Sequence, residues 1–203
     1  MHGDSDPYRR DWFRAVYDLA EGDAARVPWA DLAPHPLLAD WLRDRRLTGR
    51  ALDIGCGLGD NAEAIAKAGA QTSAFDLSEN AIAWARKRFP QSSVDYRAAD
   101  LFATPRDWRG AFDFAHECYT LQALGPAALP AAARAIAQTL KPGAQLLVIA
   151  RARDEREEIP GPPWPLTRSQ IDTIAQAGLR LEALEDIPEG GPRGRHWRAL
   201  FRA

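Results

Sequence analysis

Three glycines at alternating positions and two separate aspartates are the residues of this chain whose types and spacing could hold a ligand. Gly55, Gly57 and Gly59 directly follow a short apolar run, residues 51–54, that contains Asp53. Glycine lets the backbone turn sharply and approach a ligand without a Cβ in the way. At the carboxyl end of the first strand of an open α/β sheet, such a loop predicts a binding site for a nucleotide-like cofactor.

The two aspartates follow apolar runs in the same way. Asp76 ends the run 72–75, and Asp100 ends the run 96–99. If these runs are parallel strands, both carboxylates lie at the sheet edge that carries the glycine loop. A carboxylate after the second strand can accept hydrogen bonds from both ribose hydroxyls and would repel a 2′-phosphate. A carboxylate after the third strand can accept from an adenine amine, so the pattern predicts an adenosine-containing cofactor.

The elements that must position these residues alternate from residue 50 onward. We predict helices at 61–68, 79–89, 127–140 and 168–177, and seven strands at 51–54, 72–75, 94–98, 112–116, 146–150, 179–187 and 196–201. Such alternation is typical of a Rossmann-like, doubly wound, mostly parallel α/β sheet with helices on both faces. The last two strands are joined without a helix, which predicts an antiparallel hairpin.

The N-terminal segment, residues 1–47, is rich in aromatic residues and is interrupted by prolines. Its pattern over residues 8–47 predicts a helix, an irregular crossing and a second helix. One interpretation is a mobile lid over a binding site, and the other is a helix pair packed permanently on the sheet. We assign Trp29 to the lid and Trp41 to the core. The whole chain is predicted to be a single domain, with residues 48–203 as the cofactor-binding core.

Composition excludes several function classes. The chain has 203 residues, of which 46% are hydrophobic and 27% charged, as is ordinary for a soluble globular protein. A net charge of −2 provides no broad basic field for nucleic acid. No apolar run approaches the roughly 20 residues of a membrane span. Two cysteines are too few for a disulfide framework or a thiolate metal site, and the first residues lack a signal-peptide pattern. We therefore expect a cytoplasmic location, with no metal and no membrane or nucleic-acid partner.

Together these motifs resemble those of the class I S-adenosylmethionine-dependent methyltransferases. Residues 53–59 match the first motif of that family, Asp76 its ribose-binding acid, and Asp100 with Leu101 its adenine-contacting pair. Residues 112–118 match its fourth-strand motif, and 140–144 depart mildly from its Leu-x-Pro-Gly-Gly. The resemblance implies S-adenosylmethionine as cofactor and S-adenosylhomocysteine as product. It also implies the following cofactor-binding residues: Asp53, Gly55, Cys56, Gly57, Gly59, Asn61, Asp76, Leu77, Asp100, Leu101 and Glu117.

Three alternatives compete with this interpretation. A dinucleotide oxidoreductase would need two residues between its second and third glycines, and it has no role for Asp100. A second alternative is a non-catalytic S-adenosylmethionine-binding sensor or partner subunit. The third is an RNA methyltransferase that works with a partner. It requires one arginine face, whereas the simpler interpretation is solvated surface charge; the arginines concerned are Arg43, Arg45, Arg46, Arg193 and Arg195.

The resemblance also implies where a methyl acceptor would lie, namely beneath the N-terminal segment and the loops after the fourth and fifth strands. The predicted catalytic residues there are His116, Glu117 and Tyr119. Glu117 could contact the methionine part of the cofactor or act as a general base, or be a solvated strand-end carboxylate. His116 could deprotonate an acceptor or simply pack, and Tyr119 could position an acceptor or pack on the next helix. The predicted lid residues are Trp12, Trp29 and Trp164, with His35 beside them.

The motif after the fourth strand and the aromatic N-terminal segment indicate the class of methyl acceptor. After the fourth strand it has Glu117-Cys-Tyr-Thr120 in place of the Asn/Asp-Pro-Pro-aromatic motif of amino-nucleobase methyltransferases. A short aromatic lid suits a small, fairly apolar acceptor, methylated on sulfur, oxygen or nitrogen. A thiolate would need little base catalysis. Residues 27–29 and 34–36 loosely resemble the first segment of the thiopurine, thiol and halide methyltransferases.

Overall fold

A seven-stranded sheet with the order β3-β2-β1-β4-β5-β7-β6 forms the centre of the structure, a computed structural model that describes residues 8–190 and 194–203. Strands β1 to β5 run parallel to one another. Strand β7 lies between β5 and β6 and runs antiparallel to both. The predicted seven strands and the predicted C-terminal antiparallel hairpin are confirmed. The strands are β1 (Arg50–Ile54), β2 (Gln71–Asp76), β3 (Asp95–Ala98), β4 (Phe112–Cys118), β5 (Leu140–Arg151), β6 (Arg180–Ile187) and β7 (His196–Arg202).

Helices cover both faces of this sheet. Leu52 and Ile54 of β1 belong to a hydrophobic cluster that includes the helices on one face, whereas Ala51 belongs to a cluster on the other. This alternation arises because successive side chains of a strand point to opposite faces. The helices are α1 (Arg10–Ala20), α2 (Pro36–Leu42), α3 (Asp60–Lys67), α4 (Glu79–Arg88), α5 (Thr120–Leu124), α6 (Leu129–Ala137) and α7 (Arg168–Ala175).

Local chemistry explains where the main helices begin and end. The Ser78 side chain accepts a hydrogen bond from the Ala81 backbone N–H and so caps α4. Thr167 and Gln170 form a reciprocal capping box at the start of α7. Residues 8–47 form α1, an irregular crossing and α2, which confirms the predicted arrangement of this segment.

Two stretches differ from the sequence prediction. The helix predicted at 127–140 is shorter, because Leu140 already pairs with Phe112 and starts β5. The Lys-Pro-Gly sequence that follows is accommodated as a bulge, with Gly143 at a φ of 79°. The second difference is α5, whose five residues are too few to produce a helical periodicity in the sequence.

The carboxyl ends of β1 to β5 all lie at one edge of the sheet, since these strands are parallel. The loops that follow them therefore converge on one region, into which α1 and the crossing also reach. Among the helices that the structure describes, none combines the length and apolar character needed to cross a lipid bilayer.

Candidate functional site

A cavity of about 440 Å³ lies at this edge of the sheet. Its walls come from α1 and the crossing, from the loops after β1 to β4, and from the end of β5. The predicted site residues that line it are Gly55, Cys56, Gly57, Asn61, Asp76, Leu77, Asp100, Leu101, Tyr119, Trp12 and Trp29. The volume lies in the range usual for small-molecule sites.

The glycine loop forms the floor of the cavity beside β1. Gly55 and Gly57 have φ angles of 64° and 51°, in the left-handed region that side chains with a Cβ rarely adopt. A Cβ on Gly57 would come within 3.0 Å of the Tyr17 hydroxyl oxygen on the cavity side. Gly59 instead starts α3 and faces Tyr96, away from the lining. The loop thus offers bare backbone to a bound molecule at Gly57.

Asp76 lies at the end of β2, next to that floor. Its two carboxylate oxygens accept hydrogen bonds from the backbone N–H groups of Gly57 and Ser78, both at 3.0 Å. Burial raises the pKa of Asp76 to about 6, despite these hydrogen bonds. A carboxylate has further lone pairs, so Asp76 can still accept hydrogen bonds from a ligand.

Asp100 also lines the cavity, and both of its carboxylate oxygens already accept hydrogen bonds. One of its oxygens accepts from the Phe102 backbone N–H at 2.8 Å, and the other accepts from Arg10 Nε at 2.6 Å. Beside it the Tyr8 ring stacks on Phe102, with 3.8 Å between centroids. The N-terminal segment therefore contacts the position predicted to bind adenine.

Three of the predicted acidic and basic residues do not line the cavity. Asp53 and His116 form a buried pair, with 2.7 Å between Oδ1 and Nδ1, and His116 is 0% exposed. Glu117 is also 0% exposed and accepts a hydrogen bond from the Leu121 backbone N–H at 3.1 Å. Asp53 Oδ2, His116 Nε2 and Glu117 Oε1 have no hydrogen-bond partner among the residues that the structure describes. This placement gives His116 and Glu117 no contact with a molecule in the cavity, and for His116 it matches the packing alternative.

Burial also affects the ionisation of Glu117. It raises the pKa of Glu117 to about 8, and the nearby charge of Asp53 acts in the same direction. The backbone N–H groups of Thr120 and Leu121 oppose this shift by hydrogen bonding to the carboxylate. Glu117 therefore holds the start of α5, directly after Tyr119.

The predicted lid residues divide into two groups. Trp29 and Trp12 line the cavity, and Trp29 Nε1 donates a hydrogen bond to the Tyr17 hydroxyl at 2.7 Å. Trp164 lies behind the lining, against Gly125 and under the guanidinium of Arg9. Trp41 is buried and stacks on Phe114, which confirms its assignment to the core.

Tyr119 brings together residues that are distant in the chain. It lines the cavity with His35, and its hydroxyl oxygen lies 2.9 Å from His35 Nε2 and 2.7 Å from His196 Nε2. Sequence analysis placed His35 at the lid but gave His196 no role beyond the start of a strand. His196 reaches this site only because β7 inserts beside β5, with His196 opposite Arg151.

Three of the five arginines of the alternative RNA-binding face have local partners. Arg43 pairs with Asp40, and the Arg45 guanidinium lies over the Trp41 ring. Arg195 pairs with Asp154 and Asp186. Arg193 lies outside the described residues. Within the part of the chain that the structure covers, no group of three His, Cys, Asp or Glu side chains could hold a metal ion.

Comparison with known proteins gives consistent matches. A family model described as a methyltransferase domain matches residues 51–143. A probable thiol methyltransferase 2 from Arabidopsis thaliana is 28% identical over 181 residues, which cover 84% of this chain and 77% of that protein. A ubiquinone biosynthesis O-methyltransferase from Aromatoleum aromaticum is 38% identical over 116 residues, 55% of this chain and 49% of that protein. The match thus spans about half the length of this second relative.

A solved structure has the same fold. The Burkholderia thailandensis 1,6-didemethyltoxoflavin-N1-methyltransferase, with its bound substrate and S-adenosylhomocysteine, superposes with a TM-score of 0.75 at 18% identity. The alignment covers 100% of this chain and 92% of that one.

Proposed function

This chain belongs to the class I S-adenosylmethionine-dependent methyltransferases, and we propose that it methylates a small, partly apolar molecule inside the cavity at the carboxyl edge of its sheet. The supporting observation is that one cavity is lined both by the glycine loop with its two aspartates and by a separate set of aromatic side chains. Two molecules that must react with each other need such a shared, sheltered space. The names of the relatives, which methylate sulfur, oxygen or nitrogen, agree with a small acceptor.

The residues that would hold the cofactor fit its chemistry. We assign the ribose hydroxyls to Asp76, the adenine to Asp100 and Leu101, and the methionine part to the cavity-lining backbone of Gly55 and Gly57. When bound, the cofactor supplies a methyl group made electrophilic by a positively charged sulfur.

The remaining residues act on the acceptor and on water. The cavity side chains of Phe13, Tyr17 and Trp29 present an apolar surface that excludes water from the reaction. Tyr119, which carries a hydroxyl group, lines the same space. We assign Glu117 to positioning, because its carboxylate fixes the backbone that follows Tyr119 and does not reach the cavity.

The reaction class is tested by release of S-adenosylhomocysteine across a panel of small phenols, thiols, halides, amines and carboxylates. Binding of S-adenosylmethionine is measured in parallel by calorimetry. Turnover on one class supports the proposal and identifies the acceptor atom. Cofactor binding without turnover on any member contradicts it and favours the non-catalytic binding protein.

The ribose assignment is tested by Asp76→Ala and the milder Asp76→Asn. We expect the Kd for S-adenosylhomocysteine to rise about 10- to 100-fold, because a hydrogen bond to a charged acceptor contributes about 1.5–3 kcal/mol. Asp172→Ala, which removes an exposed carboxylate on α7, is the matched control. An unchanged Kd in both Asp76 variants contradicts the assignment.

A further inference from the structure

The Tyr119 hydroxyl contacts two histidines that come from opposite ends of the chain. His35 belongs to the segment before α2, and His196 starts β7. The Tyr119 hydroxyl oxygen is within hydrogen-bond distance of Nε2 of both rings. His35 is 4% exposed and His196 is 0% exposed, whereas Tyr119 and His35 line the cavity. The group therefore connects the cavity to a fully buried imidazole.

The other ring nitrogens determine the direction of these hydrogen bonds. His35 Nδ1 accepts from the Leu37 backbone N–H at 3.2 Å, so in the neutral ring the proton lies on Nε2 and is donated to Tyr119. His196 Nδ1 lies 2.6 Å from the Gly194 carbonyl oxygen, which can only accept. His196 therefore carries its proton on Nδ1, and its Nε2 accepts the Tyr119 hydroxyl proton. Both tautomers follow from backbone partners alone.

Tyr119 has a strained backbone conformation. Its φ of 70° lies in the left-handed region, which is unfavourable for a residue other than glycine. Such strain is found at functional sites, where the surrounding structure maintains it. Here the hydrogen bonds of Glu117 to the start of α5 and of the Tyr119 N–H to the Ile149 carbonyl maintain it.

We propose that His35, Tyr119 and His196 form a proton relay that deprotonates a hydroxyl acceptor in the cavity, an inference that rests on the proposed function. The acceptor O–H bond breaks, and its electron pair stays on the acceptor oxygen as the nucleophile. The proton moves to the Tyr119 oxygen as the Tyr119 proton moves to His196 Nε2. His196 ends as an imidazolium whose Nδ1 proton still binds Gly194, and His35 donates to Tyr119 throughout.

The proton relay favours an acceptor with a hydroxyl group, such as a phenol, over a halide or a thiolate. A halide or a thiolate carries no proton that must be removed, whereas a phenol is protonated at neutral pH and gains from a base. Among the residues that the structure describes, His35 and Tyr119 contact His196, Arg151 lies opposite it on β5, and the uncharged Ile187 lies opposite it on β6.

A first experiment tests the relay without turnover. Long-range ¹H–¹⁵N spectra of the imidazoles are recorded for the full chain saturated with S-adenosylhomocysteine. We expect the Nε2–H tautomer at His35 and the Nδ1–H tautomer at His196, and a changed Nε2 shift of His196 in Tyr119→Phe. An Nε2–H tautomer at His196, or a His196 signal unchanged by Tyr119→Phe, overturns the proposal.

A second experiment uses the panel. We expect Tyr119→Phe and His196→Gln to lower kcat on phenols about 100-fold, the size of a general-base effect, with the Kd for S-adenosylhomocysteine unchanged. The rise of the wild-type rate with pH should follow the pKa of His196 measured by the spectra, and this dependence should vanish in His196→Gln. Tyr96→Phe, which removes another buried tyrosine hydroxyl, one outside the cavity lining, is the control.

The outcomes separate the two proposals. Turnover on thiols or halides but not on phenols overturns the relay and leaves the proposed methyltransferase function standing. The relay is equally overturned if the Tyr119 and His196 variants keep kcat on phenols within twofold of wild type. Binding of S-adenosylhomocysteine with no turnover on any panel member contradicts the proposed function, whatever tautomers the spectra show.

Discussion

At the residue scale, the carboxyl groups of this protein titrate according to what surrounds them. Asp113 accepts hydrogen bonds from Lys141 and from the Arg50 backbone, and these lower its pKa. Asp76 and Glu117 have only backbone donors and are buried, so desolvation raises their pKa values to about 6 and about 8. The two groups thus favour protonation on folding, in contrast to Asp113.

Glu117 makes the stability of the fold depend on pH. Its folded pKa of about 8 lies above the ordinary value of 4.5, so between these values the folded state binds more protons than the unfolded state. The free energy of unfolding therefore falls as the pH rises from about 5 to 8. Glu117→Gln cannot ionise, and we expect its stability relative to wild type to improve on the order of 3 kcal/mol between pH 5.5 and pH 8.5.

Urea unfolding of wild type and Glu117→Gln at the two pH values measures this difference. Glu155→Gln is the control, because hydrogen bonds from Ser169 lower the pKa of the exposed Glu155. That variant should gain nothing at the higher pH. Parallel stability curves for wild type and Glu117→Gln would show that Glu117 is ionised in the folded protein at both pH values.

At the element scale, the two parts of the N-terminal segment make different contacts. Its second helix, α2, packs on the sheet through Leu38 and Trp41, as one of the two interpretations of its sequence predicts. Its first helix and the crossing contribute Tyr17 and Trp29 to the aromatic wall of the cavity. That this wall is a mobile lid stays a prediction.

The variant Trp29→Ala tests whether the aromatic wall of the cavity contributes to cofactor binding. Trp29 packs against the rings of Phe13 and Tyr17 and donates a hydrogen bond to the Tyr17 hydroxyl. We expect its removal to weaken S-adenosylhomocysteine binding about tenfold, which corresponds to about 1.4 kcal/mol, and to speed proteolysis within α1. Leu19→Ala, which truncates a side chain on α1 that is 66% exposed, is the control. Wild-type binding by Trp29→Ala would show that the wall contributes nothing to affinity.

At the scale of the whole molecule, one arginine of β7 joins distant parts of the chain. Arg198 is 12% exposed at its side chain and pairs with Asp40 of α2 and Glu185 of β6. It also donates a hydrogen bond to the Leu37 carbonyl. These contacts hold α2 against the C-terminal hairpin, next to His35.

We expect Arg198→Ala to lower the free energy of unfolding by about 2 kcal/mol, because it leaves two carboxylates without their shared partner. Chemical denaturation followed by circular dichroism measures the change. Arg168→Ala removes an exposed pair with Asp172 within one helix and should cost less than about 0.5 kcal/mol. Equal losses in the two variants would show that Arg198 does not couple the two ends of the chain.

Several parts of the fold were predictable because they depend on neighbours in sequence. The periodicity of residues 50–88, the Ser78 cap and the glycine loop are local features, and the parallel order of the first strands follows from their alternation with helices. The short α5 and the early start of β5 at Leu140 were not predictable. Pairing with Phe112, a residue far along the chain, decides where β5 begins.

The sequence by itself determined the family, the cofactor and the strand ends at which Asp76 and Asp100 lie, since all three follow from residue types at short spacings. Only the tertiary structure decided that His116 packs against Asp53 away from the cavity. It alone brought His35 and His196 within hydrogen-bond distance of the Tyr119 hydroxyl. The physical reason is that β7 inserts between β5 and β6, a pairing across the sheet that no local pattern of side chains encodes.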